Sequence, residues 1–201
     1  MKVIEQEIHS LKNSISEMWA LVHQQLYNAG EAMLTGDKEL AYKVISRERR
    51  VNAFELKIDS DCEDIIALYA PVAIDLRFVL AMYKINTNLE RLGDFAESIA
   101  RFAGNLPEGE PIDPQLVKET RVEEMLSELL SMISLTKEAF EKESSEIASR
   151  IFLKDNLIDE INHNSTAIIA KYIEEHKGSA LAGLYLSLIH ISEPTRPISI
   201  S

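Results

Sequence analysis

Several things are scarce in this chain, and each scarcity excludes a class of protein. Among 201 residues there is one cysteine, Cys62, so no intramolecular disulfide can form and a thiolate zinc cage is excluded within one chain. A reducing, cytoplasmic compartment is expected. Basic residues are the minority, 21 Lys and Arg against 33 Asp and Glu, giving a formal charge of -12. Nucleic acid is thereby excluded as a partner, because holding a phosphate backbone takes a clustered basic surface. Apolar runs are short as well. The longest, Leu181 to Ile191, falls well below the roughly 20 residues that span a bilayer. Met1 to Ser10 lacks the apolar stretch of a secretory signal. A soluble chain follows, reaching a membrane only through protein partners.

What is present is helix. Seven glycines and six prolines in a Leu-, Ile-, Glu- and Lys-rich chain favour it, and apolar residues recur at helical spacing with no useful strand alternation. The pattern predicts helices from Val3 to Leu34, Lys38 to Tyr69 and Pro71 to about Ala103. Val44, Val51, Ile58, Cys62 and Ile65 share one face of the second, and Ile74, Phe78, Leu89, Leu92, Ala96 and Ile99 that of the third. Residues 104–114 hold three prolines and two glycines and read as a linker. Beyond it the pattern predicts helices over 115–142 and 145–175, and a sixth from about Ser179.

Sliding the chain along itself by 107 residues exposes an internal repeat. Met18 falls on Met125, Glu31-Ala32 on Glu138-Ala139, Val44 and Val51 on Ile151 and Ile158, and Cys62 on Ile169. One register holding over three successive helices predicts two tandem, pseudo-symmetric three-helix bundles in an all-α fold.

Acidic pairs carry the chemistry. Glu90 and Asp94, in Glu90-Arg91-Leu92-Gly93-Asp94, stand one turn apart on one helix face, where two bare anions repel and a cation would reverse the sign. Glu48 and Asn52 form a second such pair; the repeat carries them onto Asp155 and Asp159. Oxygen donors without thiolate suit hard or borderline cations: magnesium, manganese, iron or, less distinctively, zinc. An ordinary solvated acidic face is the competing reading. Glu160 and His163 give one ExxH unit of the di-iron bundle type, but such bundles need two; a surface histidine on an acidic helix explains it more simply. No phosphate loop, GxSxG elbow or HExxH is present. Trp19, which the repeat puts on Leu126, and Cys62 read as core residues, and Arg77 as one arm of an interhelical ion pair.

Three segments in order, Val51-Asn52-Ala53-Phe54-Glu55-Leu56-Lys57-Ile58-Asp59, Pro71-Val72-Ala73-Ile74-Asp75-Leu76-Arg77-Phe78 and Asn88-Leu89-Glu90-Arg91-Leu92-Gly93-Asp94, together with the 107-residue repeat, resemble the PhoU family over residues 1 to about 187. The resemblance implies a first three-helix unit over 1–103, a linker over 104–114 and a second unit over 115–187. It also implies metal clusters at E/DxxxD motifs: Glu48, Asn52, Glu90 and Asp94 in the first unit, Asp155 and Asp159 in the second. The function implied is that of an adaptor, not an enzyme. It would restrain phosphate uptake by coupling a Pst-type phosphate transporter ATPase to a PhoR-type sensor kinase at the inner membrane face, with assembly as a homodimer. A di-iron metalloprotein and the cytoplasmic domain of a sodium–phosphate cotransporter are the alternatives, the start at Met1 without a preceding membrane helix speaking against the second.

The chain leaves the family pattern at its end. The repeat would place a second Glu and Asp at Pro197 and Ser201, where Glu193-Pro194-Thr195-Arg196-Pro197 breaks any helix. Residues from about Ser187, and 188–201 throughout, read as a non-native tail. The last helix is then expected to be truncated, its neighbours partly uncovered, and the chain less stable and prone to associate.

Overall fold

The computed structural model describes residues 3–106 and 112–176. Long periodic segments become long helices: α1 (Val3–Thr35), α2 (Lys38–Tyr69) and α3 (Ala73–Asn105). Then come a short α4 (Pro114–Thr120), α5 (Val122–Glu141) and α6 (Ser145–His176). No strand occurs among the described residues, so the all-α expectation holds. The expected sixth helix from Ser179 and the tail over 188–201 lie outside the described residues.

Local chemistry explains most of the ends. Gly36, at φ 71°, takes the left-handed turn after α1 that a side chain would resist, and Asp37 caps α2 by accepting from the Leu40 N–H at 2.9 Å. Pro71 does not open the third helix as expected. It disfavours helical geometry for the residue before it, so Ala70 closes α2 in the left-handed region and α3 starts only at Ala73. Ile74, expected in the core, is 80% exposed, and Leu68 and Val72 beside it are also exposed. The α2–α3 turn thus points these three apolar side chains outward while Pro71 within it is buried.

The single helix expected over 115–142 is two. Arg121 sits at φ 52° between α4 and α5. The break has a tertiary cause: the Ser165 hydroxyl on α6 donates to the carbonyl of buried Thr120 at 2.9 Å, and Arg121 reaches Glu160 of α6 at 2.9 Å. α4 is thus tied to α6 at an angle that α5 does not continue.

Helices α1, α2 and α3 pack against one another, α6 packs on α4 and α5, and α1 meets α5. Burial obeys the repeat: Met18 and Met125, Val22 and Leu129, Leu26 and Ile133, Val51 and Ile158, and Cys62 and Ile169 are all buried. Trp19 and Leu126 are a further pair, and Trp19 belongs to the core as expected. Its indole N–H donates to the Ile133 carbonyl at 3.2 Å and its ring stacks on Phe140, fastening α1 to α5.

Candidate functional site

The acidic edges of α2 and α3 face the same seam. Steps of four, three and four residues put Glu48, Asn52, Glu55 and Asp59 along one edge of α2; Glu90, Asp94 and Glu97 follow a matching edge of α3. The helices come close because Gly93 stands between Glu90 and Asp94. A Cβ there would lie 2.8 Å from Val51 Cγ1 and 3.6 Å from Glu48 Oε1. The glycine is needed for this approach, not for any unusual backbone angle.

That approach buries an acid. Glu48 is 5% exposed, and neither carboxylate oxygen has a hydrogen-bond partner. Desolvation, followed by the fields of Asp94, Glu97 and Glu90, pushes its pKa up to about 7. Glu90 is also pushed up to about 7, by burial, by Asp94 and Glu55 and by a hydrogen bond shared with Asp94, with Arg91 opposing. Glu55 is raised by burial, Asp59 and Asp94. These acids form one electrostatic unit across two helices.

Glu48, Glu90 and Asp94 therefore lie within one another's fields, while Asn52 stands exposed. Glu55, which continues the edge of α2 begun by Glu48 and Asn52, joins the unit, and so does Glu97, which had not been singled out. The heptad spacings 48 to 55 and 90 to 97 were the available signal. With these side-chain rotamers, no three acidic, imidazole or thiol groups among the described residues converge on a single ion position. The acids form an open stripe.

The donor set still fits a hard cation on physical grounds. A buried carboxylate without a donor, in a field of further carboxylates, is costly as it stands. Carboxylate oxygens in number are the ligands such cations take.

Asp155, half-buried, and Asp159, exposed, lie one turn apart on α6. The positions that the repeat would set opposite them, Pro197 and Ser201, lie outside the described residues. Their surroundings are ion-paired: Lys154 holds Glu128 at 2.8 Å, and Arg121 holds Glu160. Glu160 of the ExxH unit is thus engaged by a guanidinium, and His163 is exposed. Arg77 is exposed and makes no ion pair among the described residues, so the expected interhelical bridge is absent. Cys62 is buried, and burial pushes its thiol up to about 12, so it remains a neutral core group.

Comparison with known proteins identifies the family and the fold. The PhoU domain matches residues 15–103 and 122–194. A phosphate-specific transport system accessory protein PhoU homolog from Aquifex aeolicus is 32% identical over 185 residues, covering 91% of this chain and 81% of its own. The phosphate-specific transport system accessory protein PhoU of Escherichia coli is 34% identical over 154 residues, covering 77% and 62%. Among solved structures, the phosphate transport system regulatory protein PhoU from Streptococcus pneumoniae superposes with a TM-score of 0.83 at 27% identity, covering 95% of this chain and 88% of its own. PhoU from Pseudomonas aeruginosa gives 0.86 at 25%, covering 94% and 90%. No described helix is long and apolar enough to cross a membrane. With the domain match over both halves of the repeat, the chain belongs to the PhoU family.

Proposed function

We propose that this chain is a metal-binding accessory and regulatory protein of a phosphate transport system. The phosphate half of the reading is supported by its relatives, which are named as accessory proteins of the phosphate-specific transport system. The metal half rests on one observation, the buried Glu48 carboxylate that faces only further acids.

In this reading Glu48, Glu90 and Asp94 hold the cation, with Asn52, Glu55 and Glu97 beside them. A bound magnesium, manganese, iron or zinc ion would supply the positive charge that the Glu48 carboxylate lacks, and the chain would supply the oxygen ligands. The residues themselves do the rest. Gly93 sets the helix separation, and the acids, once neutralised, no longer push α2 and α3 apart. Cation occupancy and the packing of the first three helices are thereby coupled. Asp155 and Asp159 contribute half of a second site.

The finer role is that of an adaptor, not an enzyme. It restrains phosphate uptake from the cytoplasmic face, coupling a Pst-type transporter ATPase to a PhoR-type sensor kinase, and it works as a homodimer. Elemental analysis of the purified protein beside an E90A/D94A variant tests the site; unchanged metal content removes it. A pulldown against the ATPase and the kinase tests the adaptor role, which fails if neither is retained.

A further inference from the structure

The stripe has an uncharged member, Asn86, on α3 one turn before Glu90. It is fully buried, at 0% exposure. Its amide nitrogen Nδ2 donates to Asp59 Oδ1 at 2.7 Å and to the main-chain carbonyl of Glu55 at 2.9 Å, across the α2–α3 seam. A main-chain carbonyl can only accept, so the Glu55 partner alone fixes the amide's orientation. The NH₂ faces α2, and the carbonyl oxygen Oδ1 is left over. That oxygen is buried and receives no donor.

An asparagine tying two helices together is an ordinary structural device. A tie that leaves one buried acceptor unsatisfied gives back part of what it gains, because such a group costs on the order of 1–3 kcal/mol. Across the seam the same condition recurs: both Glu48 oxygens are also buried and without donors. The polar side chains nearby in the stripe, Glu55, Asp59, Glu90 and Asp94, are carboxylates. Three orphaned acceptors along one acid-lined seam call for a species that brings positive charge or O–H donors. A hydrated cation brings both.

We propose that Asn86 belongs to the cation site of α2 and α3, its NH₂ holding Asp59 in place and its Oδ1 supplying a neutral oxygen at the inner end. The inference rests on the reading of the stripe as a cation site, and it extends that site one helical turn beyond Glu90 towards the α2–α3 turn. A neutral carbonyl among carboxylates suits a hard cation, which takes oxygen of either kind. Partners that fix a ligand's orientation typically account for 10–100-fold in metal affinity, so Asn86 acts as a positioning residue as well as a donor.

The test uses the full chain, stripped with chelator, as wild type, N86A and N86L. Alanine removes the amide; leucine removes it while filling the space and keeping helix propensity, so a loss shared by both variants is not a packing defect. Each is titrated with Mn²⁺, free ion being read by electron paramagnetic resonance, and melted by circular dichroism with and without saturating Mn²⁺. Both variants are expected to bind roughly 10–100-fold more weakly and to gain less in thermal midpoint from Mn²⁺ than wild type. If the metal-free midpoint moves but the Mn²⁺ affinity equals that of wild type, Asn86 is a helix tie alone and the inference is overturned. A wild type that takes up no Mn²⁺ overturns the site reading as well, which separates the two failures.

Discussion

Glu48 on α2 and Glu128 on α5 are both largely buried acids, one in each half of the repeat. Glu128 meets Lys154 at 2.8 Å; Glu48 meets Asp94, Glu97 and Glu90. The contrast extends along the helices. On α5 the Arg121 guanidinium beside Glu124 and the Lys137 ammonium beside Glu141 hold those carboxyls below their ordinary value, whereas on α2 and α3 burial and like charge hold Glu48 and Glu90 above theirs. Where this fold uses a carboxylate for structure it provides a cation from its own side chains. At the α2–α3 seam it brings acids together around Glu48 instead, with Arg101 paired to Glu97 at one end, and Gly93 is the residue that lets it do so.

Removing that glycine is the largest test of the comparison. Gly93→Ala sets a methyl 2.8 Å from Val51 Cγ1; overpacking of this kind costs roughly 1–3 kcal/mol. The first three helices should melt earlier and lose cation uptake with the seam. Because one atom of Val51 carries the clash, adding Val51→Ala should recover part of the loss, and a double-mutant cycle in denaturant reads the coupling. Strictly additive effects would mean the helices separate freely and that no close approach is needed.

Glu48→Gln and Glu128→Gln should then move stability in opposite directions. Without metal at pH 8, Glu48→Gln removes a buried charge that lacks a partner and should stabilise by on the order of 1–2 kcal/mol, while abolishing the gain from added cation. Glu128→Gln takes the partner from Lys154 and should destabilise. Equal signs in chemical denaturation would erase the distinction between the two seams.

How far these features were legible in the sequence follows from their range. The ends of α1 and α2 are local, written in Gly36, Asp37 and the 3.6-residue period, and they fall within a residue of expectation. The 107-residue repeat predicted which positions share a core, and burial of Val51 with Ile158 and of Cys62 with Ile169 agrees. The break at Arg121 carries no glycine or proline; α6 imposes it through Ser165 and Glu160, which no local pattern reveals. Ile74 has the right helical phase for the core but is exposed in the first turn of α3, and phase does not report which turns of a helix are covered. At the site, Glu48, Glu90 and Asp94 were legible as pairs. The burial of Glu48 and the orphaned oxygen of Asn86 depend on how closely α3 approaches, which Gly93 permits and sequence spacing does not measure.

Acidity offers a gentler probe of the same seam. Glu48 and Glu90 have folded pKa values near 7 against an ordinary 4.5, so between those values the native chain holds more protons than the unfolded one. Their contribution is fully present below about pH 4.5 and is lost as pH rises through 7. The metal-free thermal midpoint should therefore fall between pH 5 and pH 8, by on the order of 5 °C. Saturating cation should flatten the slope, since it takes the ionised form and displaces those protons. A metal-free midpoint that is flat or rising over this interval would place the acids in water.

The smallest expected effect lies at Arg121, in the half that pairs its charges. Its guanidinium binds Glu124 at 2.7 Å and Glu160 at 2.9 Å, and its backbone is left-handed at φ 52°, a conformation that glycine adopts without strain and alanine does not. Two substitutions separate these contributions. Arg121→Ala loses the ion pairs and keeps the strain, so its thermal midpoint should fall; Arg121→Gly loses the same pairs but relieves the strain and should stay nearer to wild type. Because exposed pairs are screened by salt, the gap between wild type and Arg121→Ala should narrow at 1 M NaCl, while the gap between the alanine and glycine variants should not. If both gaps respond to salt alike, the kink between α4 and α5 is held by charge alone and its backbone carries no strain.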